Sequence, residues 1–158
     1  MKKTLTDAAE VTAVAFAETE YMPETAVSTA VIAVAEERYI VPVVGRALYE
    51  KMLEGQYGTL REEYVVPAAA FFTRLEMQPL TNVRSGRFGT AVPYSENCRP
   101  ADRRQILDLR HTLREKGRTL LRRLSDHLER HADDYPEYSS QHNILNRCST
   151  DGGIVQIL

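Results

Sequence analysis

Cysteine is scarce in this chain. Cys98 and Cys148 are its only two, too few for a disulfide scaffold, and neither has a CxxC partner. That excludes a disulfide-stapled secreted domain and makes a reducing compartment the expectation. Long apolar runs are also missing. The longest, 30–35, falls far short of the roughly 20 residues a membrane helix needs, so no membrane partner is expected. Lys2 and Lys3 ahead of the apolar stretch 13–17 imitate a signal peptide. Asp7 and Glu10 stand where its apolar centre belongs, and secretion is not expected. Catalytic signatures are absent as well: no Walker loop, no GxGxxG and no GxSxG occurs, and Cys98 has no adjacent histidine to activate it. The two glycines of Ser85-Gly86-Arg87-Phe88-Gly89 are explained by turn chemistry. The expectation is a protein that is not an enzyme and carries no cofactor.

What remains is an ordinary globular composition, 43% hydrophobic and 27% charged, in a chain of 158 residues. That length suits one domain able to bury about two-thirds of its unfolded surface. The net charge of −2 conceals segregation. Residues 1–76 carry 7 Lys and Arg against 12 Asp and Glu, residues 77–131 carry 12 against 6, and residues 132–158 carry 1 against 4. An acidic front and a basic middle suit head-to-tail stacking of copies, and equally an acidic helix packed beside a basic one within a single monomer.

One phrase occurs twice. Glu36-Glu37-Arg38-Tyr39-Ile40-Val41-Pro42 returns as Arg61-Glu62-Glu63-Tyr64-Val65-Val66-Pro67. Proline has no N–H and biases the residue before it away from the helical region. Each copy is therefore expected to stop or kink a helix at Val41 or Val66, with Pro42 or Pro67 opening the next stretch. Tyr39, Pro42, Tyr64 and Pro67 are expected as structural joints, and Gly45 as a tight turn. The acidic pairs Glu36-Glu37 and Glu62-Glu63 are expected on solvated helix faces.

Capping and periodicity predict helices over 6–16, 23–40, 46–53, 60–77 and 101–132. Phe71, Phe72 and Leu75 are core candidates of the fourth. In the last, Ile106, Leu109, Leu113, Gly117, Leu120, Leu124 and Leu128 form an apolar stripe at steps of three and four. Gly117 on that stripe would let another helix approach closely, which offsets up to about 1 kcal/mol of lost helix propensity. Residues 79–100, broken by prolines and glycines, predict a loop or hairpin. The ending Ile154-Val155-Gln156-Ile157-Leu158 predicts a terminal strand seeking a partner.

Two constellations could carry binding. His127 and His131 stand four apart and could face one metal ion, or simply lie at a charged helix end where His131 meets the helix dipole. Arginines, among them Arg114, Arg118, Arg122, Arg123 and Arg130, surround the stripe, and such a face could neutralise phosphates. Interleaved acids and a pI near 6.1 favour a protein partner or intramolecular pairing for it.

Tyr39-Ile40-Val41-Pro42-Val43-Val44-Gly45-Arg46-Ala47-Leu48-Tyr49 resembles the YIxPxLGxxLY signature of a family in Bacteroidetes phages and prophages described as head–tail connector-like. Ser95-Glu96-Asn97-Cys98-Arg99-Pro100-Ala101 matches its SENxxPA element, and Tyr135-Pro136-Glu137-Tyr138 its short aromatic ending. Val44 stands where Leu is usual, and the loop 84–90 and the last seven residues have no counterpart in that pattern. The resemblance implies a small helical adaptor forming a ring beneath a phage portal.

The expected architecture is mainly α: a bundle of four to five helices with a small β-hairpin-like excursion near 80–92. Residues 1–138 would form one helical domain, including the loop 79–100, and residues 139–158 an extended C-terminal arm. The expected function is a structural neck protein, assembled in the bacterial cytoplasm and residing in the virion neck. Its partners would be its own copies, the portal, the next neck or tail protein, and DNA in the ring lumen. Arg84, Arg87, Phe88, Arg114, Arg118, Arg122, Ile154, Val155 and Ile157 are the candidate interface. The alternative is a cytoplasmic nucleic-acid-binding helical protein that uses the arginine-rich helix 101–132.

Overall fold

A computed structural model of the chain describes residues 4–17, 20, 22–86, 89–91 and 100–147. Helix α1, Ala8–Ala15, starts from a capping box: Glu10 N–H donates to Asp7 and Asp7 N–H donates to the Glu10 carboxylate, at 2.8 and 2.9 Å. The next helix was expected to begin at Pro23. Only a single 3-10 turn, Glu24–Ala26, forms there, and Val27 is extended. Helix α2 begins after Ser28, whose side chain accepts from the N–H of Ala30, and runs over 29–44. Gly45, at φ +83°, turns the chain into α3, Arg46–Leu53, which buries Leu48, Tyr49 and Met52. Helix α4 covers 58–82 and α5 covers Arg103–Arg130.

The repeated phrase does not stop either helix, contrary to the expectation. Val41 and Val66 are helical, at φ/ψ of −55/−40° and −55/−47°, and the chain passes through both prolines. Each phrase instead forms one π-helical turn, Glu36–Ile40 in α2 and Arg61–Val65 in α4. The N–H of Val41 reaches back to the carbonyl of Glu36, and that of Val66 to the carbonyl of Arg61, five residues rather than four. The physical reason lies in the proline ring, which strikes the carbonyl four residues back in an ordinary α-helix. Widening the preceding turn by one residue moves the carbonyls of Arg38 and Glu63 out of that position. Tyr39, Pro42, Tyr64 and Pro67 are thus joints in hydrogen-bond register, not breaks. Helix α4 also runs through Pro79 to Asn82, where sequence placed the start of an irregular segment.

Between α4 and α5, the backbone of Arg84–Gly86 lies antiparallel to Gly89–Ala91, with Arg84 opposite Ala91. Two three-residue segments are too short to form a layer or bury a face, and the architecture is mainly α. Among the described residues, no helix is long and apolar enough to cross a membrane.

Helix α5 lies along α4, and the stripe supplies the contact: Leu113, Gly117, Leu124 and Leu128 are buried, joined by Leu121 and Ser125. They pack with Ile40, Val43, Leu48, Leu60, Val65, Phe72 and Leu75 in the main core. A second cluster, Val11, Ala15, Val27, Ile32, Ala70 and Met77, seats α1 and the start of α2 on the opposite side of α4, with Phe71 packed against both clusters. At Gly117 the ring of Phe72, on α4, packs directly against the backbone of α5. A Cβ built there would stand 2.9 Å from Cε1 and Cζ of Phe72.

The two π-turns also fasten the N-terminal segment. Glu36, fully buried, accepts from the N–H of Leu5 at 2.9 Å, the N–H of Thr6 at 2.8 Å and the hydroxyl of Tyr49 at 2.7 Å. Arg61 occupies the equivalent position in the second phrase. It donates to the Leu5 carbonyl at 2.6 Å and to both oxygens of Glu10, at 2.6 and 2.7 Å. One anion and one cation, each the first residue of its π-turn, grip the same segment. The solvated-face expectation holds for Glu37, Glu62 and Glu63, which are exposed, and fails for Glu36.

Residues 139–147, expected as the first part of an extended arm, pack on α5. Asn143 is buried and donates to the Ser125 and Tyr138 hydroxyls, both at 2.8 Å, and Leu145 packs against the main core.

Candidate functional site

The long helix presents two basic surfaces, one beside each π-turn tyrosine. On the first, Tyr39 stacks on Phe72 with centroids 4.0 Å apart and planes at 8°. Its hydroxyl donates to Glu76 at 2.8 Å, and burial together with that bond pushes the phenol up to about 12. Tyr39, Phe72, Leu121 and Leu145 line a small apolar hollow rimmed by Arg114, Arg118 and Arg122. Arg114 and Arg122 are exposed, Arg118 is half-buried and pairs with Glu115, and the neighbouring Ile144 is 46% exposed. The structure therefore brings together the three arginines singled out in the sequence, at four-residue steps that place them along one side of α5.

On the second surface, Tyr64 stacks on His127 at 4.2 Å, His127 stacks on His131 at 4.4 Å, and the Arg123 guanidinium lies 4.9 Å from the Tyr64 ring centroid. His127 also meets the Tyr135 hydroxyl at 3.2 Å. Burial, reinforced by His131, holds its pKa below the ordinary histidine value. A groove of about 380 Å³ opens here, lined by Tyr64, Thr119, Arg122, Arg123, Asp126, His127 and Arg130. The two histidines lie ring on ring, and His131 Nδ1 faces the His127 carbonyl at 3.0 Å. Among the described residues, no three His, Cys, Asp or Glu side chains gather into a metal-binding group.

The ion pairs Arg38–Glu76, Arg61–Glu10 and Arg74–Glu20 tie the acidic half to itself, while Arg104–Asp108 and Arg118–Glu115 lie within α5. Of the other candidate residues, Arg84 stands in the short antiparallel pairing; Arg87, Phe88, Ile154, Val155 and Ile157 lie outside the described residues, as does 95–99 of the SENxxPA element. Sequence reasoning missed the Glu36 and Arg61 clamps. The available signal was the opposite charge at the first position of the two phrases.

Glu129 closes the far end of α5. It accepts from the Tyr138 hydroxyl, from Ser140 at 2.9 Å and from Asn146 at 2.6 Å. These bonds, the Tyr138 bond first, hold its carboxyl below the ordinary range. A depressed carboxylate pKa favours the folded state above the unfolded value and loses that contribution as pH falls through the folded one. Acidification below about pH 5 is therefore expected to loosen 138–147. Glu129→Gln should do the same at neutral pH, read as faster hydrogen exchange at the Leu145 and Asn146 amides. Unchanged exchange in the variant would show that the apolar contacts of Leu145 suffice.

These features define a mainly helical protein that presents basic surfaces on its longest helix. A family model matches residues 36–147, from the first residue of the first π-turn to the end of the described tail. The chain belongs to that family, DUF6712, a family of unknown function. No curated protein and no solved structure matches it.

Proposed function

We propose that this protein is a structural adaptor of a phage or prophage neck, which joins portal to tail by assembling copies of itself into a ring and carries out no chemistry. The sequence resemblance to connector-like proteins supports this reading. The observation that carries it is the Tyr39 surface. An apolar hollow lined by Tyr39, Phe72, Leu121 and Leu145 with three arginines at its rim has the composition of a protein interface, with an apolar centre and a charged border. The acidic half supplies an unlike face, with Glu37, Glu50, Glu54, Glu62 and Glu63 exposed. Heterologous contacts between unlike faces close into rings, and complementary potentials fix register. The finer parts of this reading are a projecting hairpin near 80–92, with Arg84, Arg87 and Phe88 in contact with a neighbour or the lumen, and strand addition by 154–158.

The test is assembly with the portal protein encoded in the same genome. Replacing Arg114, Arg118 and Arg122 together by Glu should abolish ring formation and portal docking in sedimentation and electron microscopy, while circular dichroism melts show a folded domain. A folded triple variant that still assembles, or wild-type protein that neither self-associates nor binds portal, would overturn the adaptor role.

A further inference from the structure

The groove beside Tyr64 differs in kind from the hollow beside Tyr39. Its cations are Arg122, Arg123 and Arg130, set against one carboxylate, Asp126. Its one tyrosine is already engaged by His127 and Arg123. The exposed large hydrophobic residues Val14, Val34, Leu80, Val83, Leu107 and Ile144 are not among its lining. A protein partner would need an apolar or aromatic anchor to hold it, and a base stacking on the groove would need an open ring face. Neither is offered. What is offered is charge: Arg122, Arg123 and Arg130 line one groove and extend over about 12 Å of helix at 1.5 Å per residue. Phosphates of a nucleic-acid backbone are spaced along a line, and guanidinium forks match their oxygens in pairs.

We propose that the Tyr64 groove is a phosphate-binding site for the backbone of duplex nucleic acid, gripped without regard to sequence by Arg122, Arg123 and Arg130. The net charge of −2 does not oppose this, because the acidic groups are concentrated in other parts of the chain and the potential felt by a phosphate is that of the groove. Tyr64 and the His127–His131 stack act as a wall that holds Arg123 in place. The site does not rest on the adaptor role. Arg123 and Arg130 are not among the residues whose reversal is expected to break assembly, so the two can fail separately.

The experiment is fluorescence anisotropy of the full chain with a labelled mixed-sequence DNA duplex, titrated between about 50 and 200 mM salt. Expected are binding that is equal for unrelated sequences and a log–log salt slope close to the number of phosphates neutralised. Arg123→Ala with Arg130→Ala should lower that slope by about two. Arg103→Ala with Arg104→Ala, at the exposed start of α5, should leave it within about half a unit of wild type. Arg123→Lys with Arg130→Lys, which keeps both charges, should retain the slope and guards against a folding artefact. No binding at about 50 mM salt overturns the proposal. Equal losses from the control pair, which would mean diffuse charge, also overturn it. So does a groove variant that leaves DNA binding intact but abolishes self-association, which would assign the groove to a second copy of the chain.

Discussion

Replacing Glu36 by alanine is expected to remove about 3–5 kcal/mol of stability, the largest single effect among the polar residues of this fold. The substitution leaves three buried donors, the N–H groups of Leu5 and Thr6 and the Tyr49 hydroxyl, without their acceptor. Each stranded buried donor costs about 1–3 kcal/mol, and water entering the vacated space limits the total. Glu36→Gln should recover part of this, because its Oε1 can still accept from Leu5 and Tyr49 while its amide nitrogen turns a donor toward the Thr6 N–H. Urea unfolding measures the loss. Hydrogen exchange locates it, with protection expected to vanish over residues 5–15 before it falls in α4 and α5. Arg61→Ala frees the same segment by releasing the Leu5 carbonyl and Glu10. The Glu36→Ala, Arg61→Ala double variant should therefore lose less than the sum of the two, since a segment can be released only once. Strict additivity would show that the clamps act independently.

Gly117→Val should cost about 3 kcal/mol, near the upper end for overpacked cores. The first added carbon already lies 2.9 Å from two Phe72 ring atoms, and the remaining methyls have less room still. Phe72 has no easy retreat. It is 1% exposed, and the Tyr39 ring stacked on it is tied by its hydroxyl to Glu76. In a chain of this size the change corresponds to a fall in Tm of about 6–12 °C. Gly117→Ala should fall less, because the gain of about 1 kcal/mol in helix propensity works against the clash. Phe72→Leu should recover part of the Gly117→Ala loss in a double-mutant cycle, since a narrower side chain makes room where the ring did not. A Gly117→Val protein that melts with wild type would mean that the two helices do not meet at this glycine.

Several features of the fold were legible because their causes are local. Thr6 or Asp7 near the cap and Glu10 in the first turn mark where α1 starts, and Gly45 marks a tight turn, which the structure realises as a capping box and a positive φ. Stripe residues at steps of three and four define a helix whichever neighbour it meets, and a glycine on that stripe marks a close approach before the neighbour is known. The basic side of α5 is equally visible, because its arginines repeat with the helix period. The sequence by itself therefore determined the helical class, the core face of α5 and the position of its charged surfaces. The tertiary structure alone decided what lies opposite each of them. Proline sterics permit a stop, a kink or a widened turn, and the π-turns at Glu36–Ile40 and Arg61–Val65 prevail while keeping Ile40 and Val65 in the core. Glu36 lies on the inward row of α2 with Ile32 and Ile40, four residues to either side, while Glu37 beside it faces water. A charge run reads as solvated until a segment 30 residues away supplies buried backbone donors for one member of it. Nor can spacing within one helix reveal that Tyr64 stacks on His127, or that Tyr39 covers Phe72, because each ring belongs to a different helix from the group it meets. Such contacts are fixed by how α2, α4 and α5 pack, and packing is a property of the whole chain.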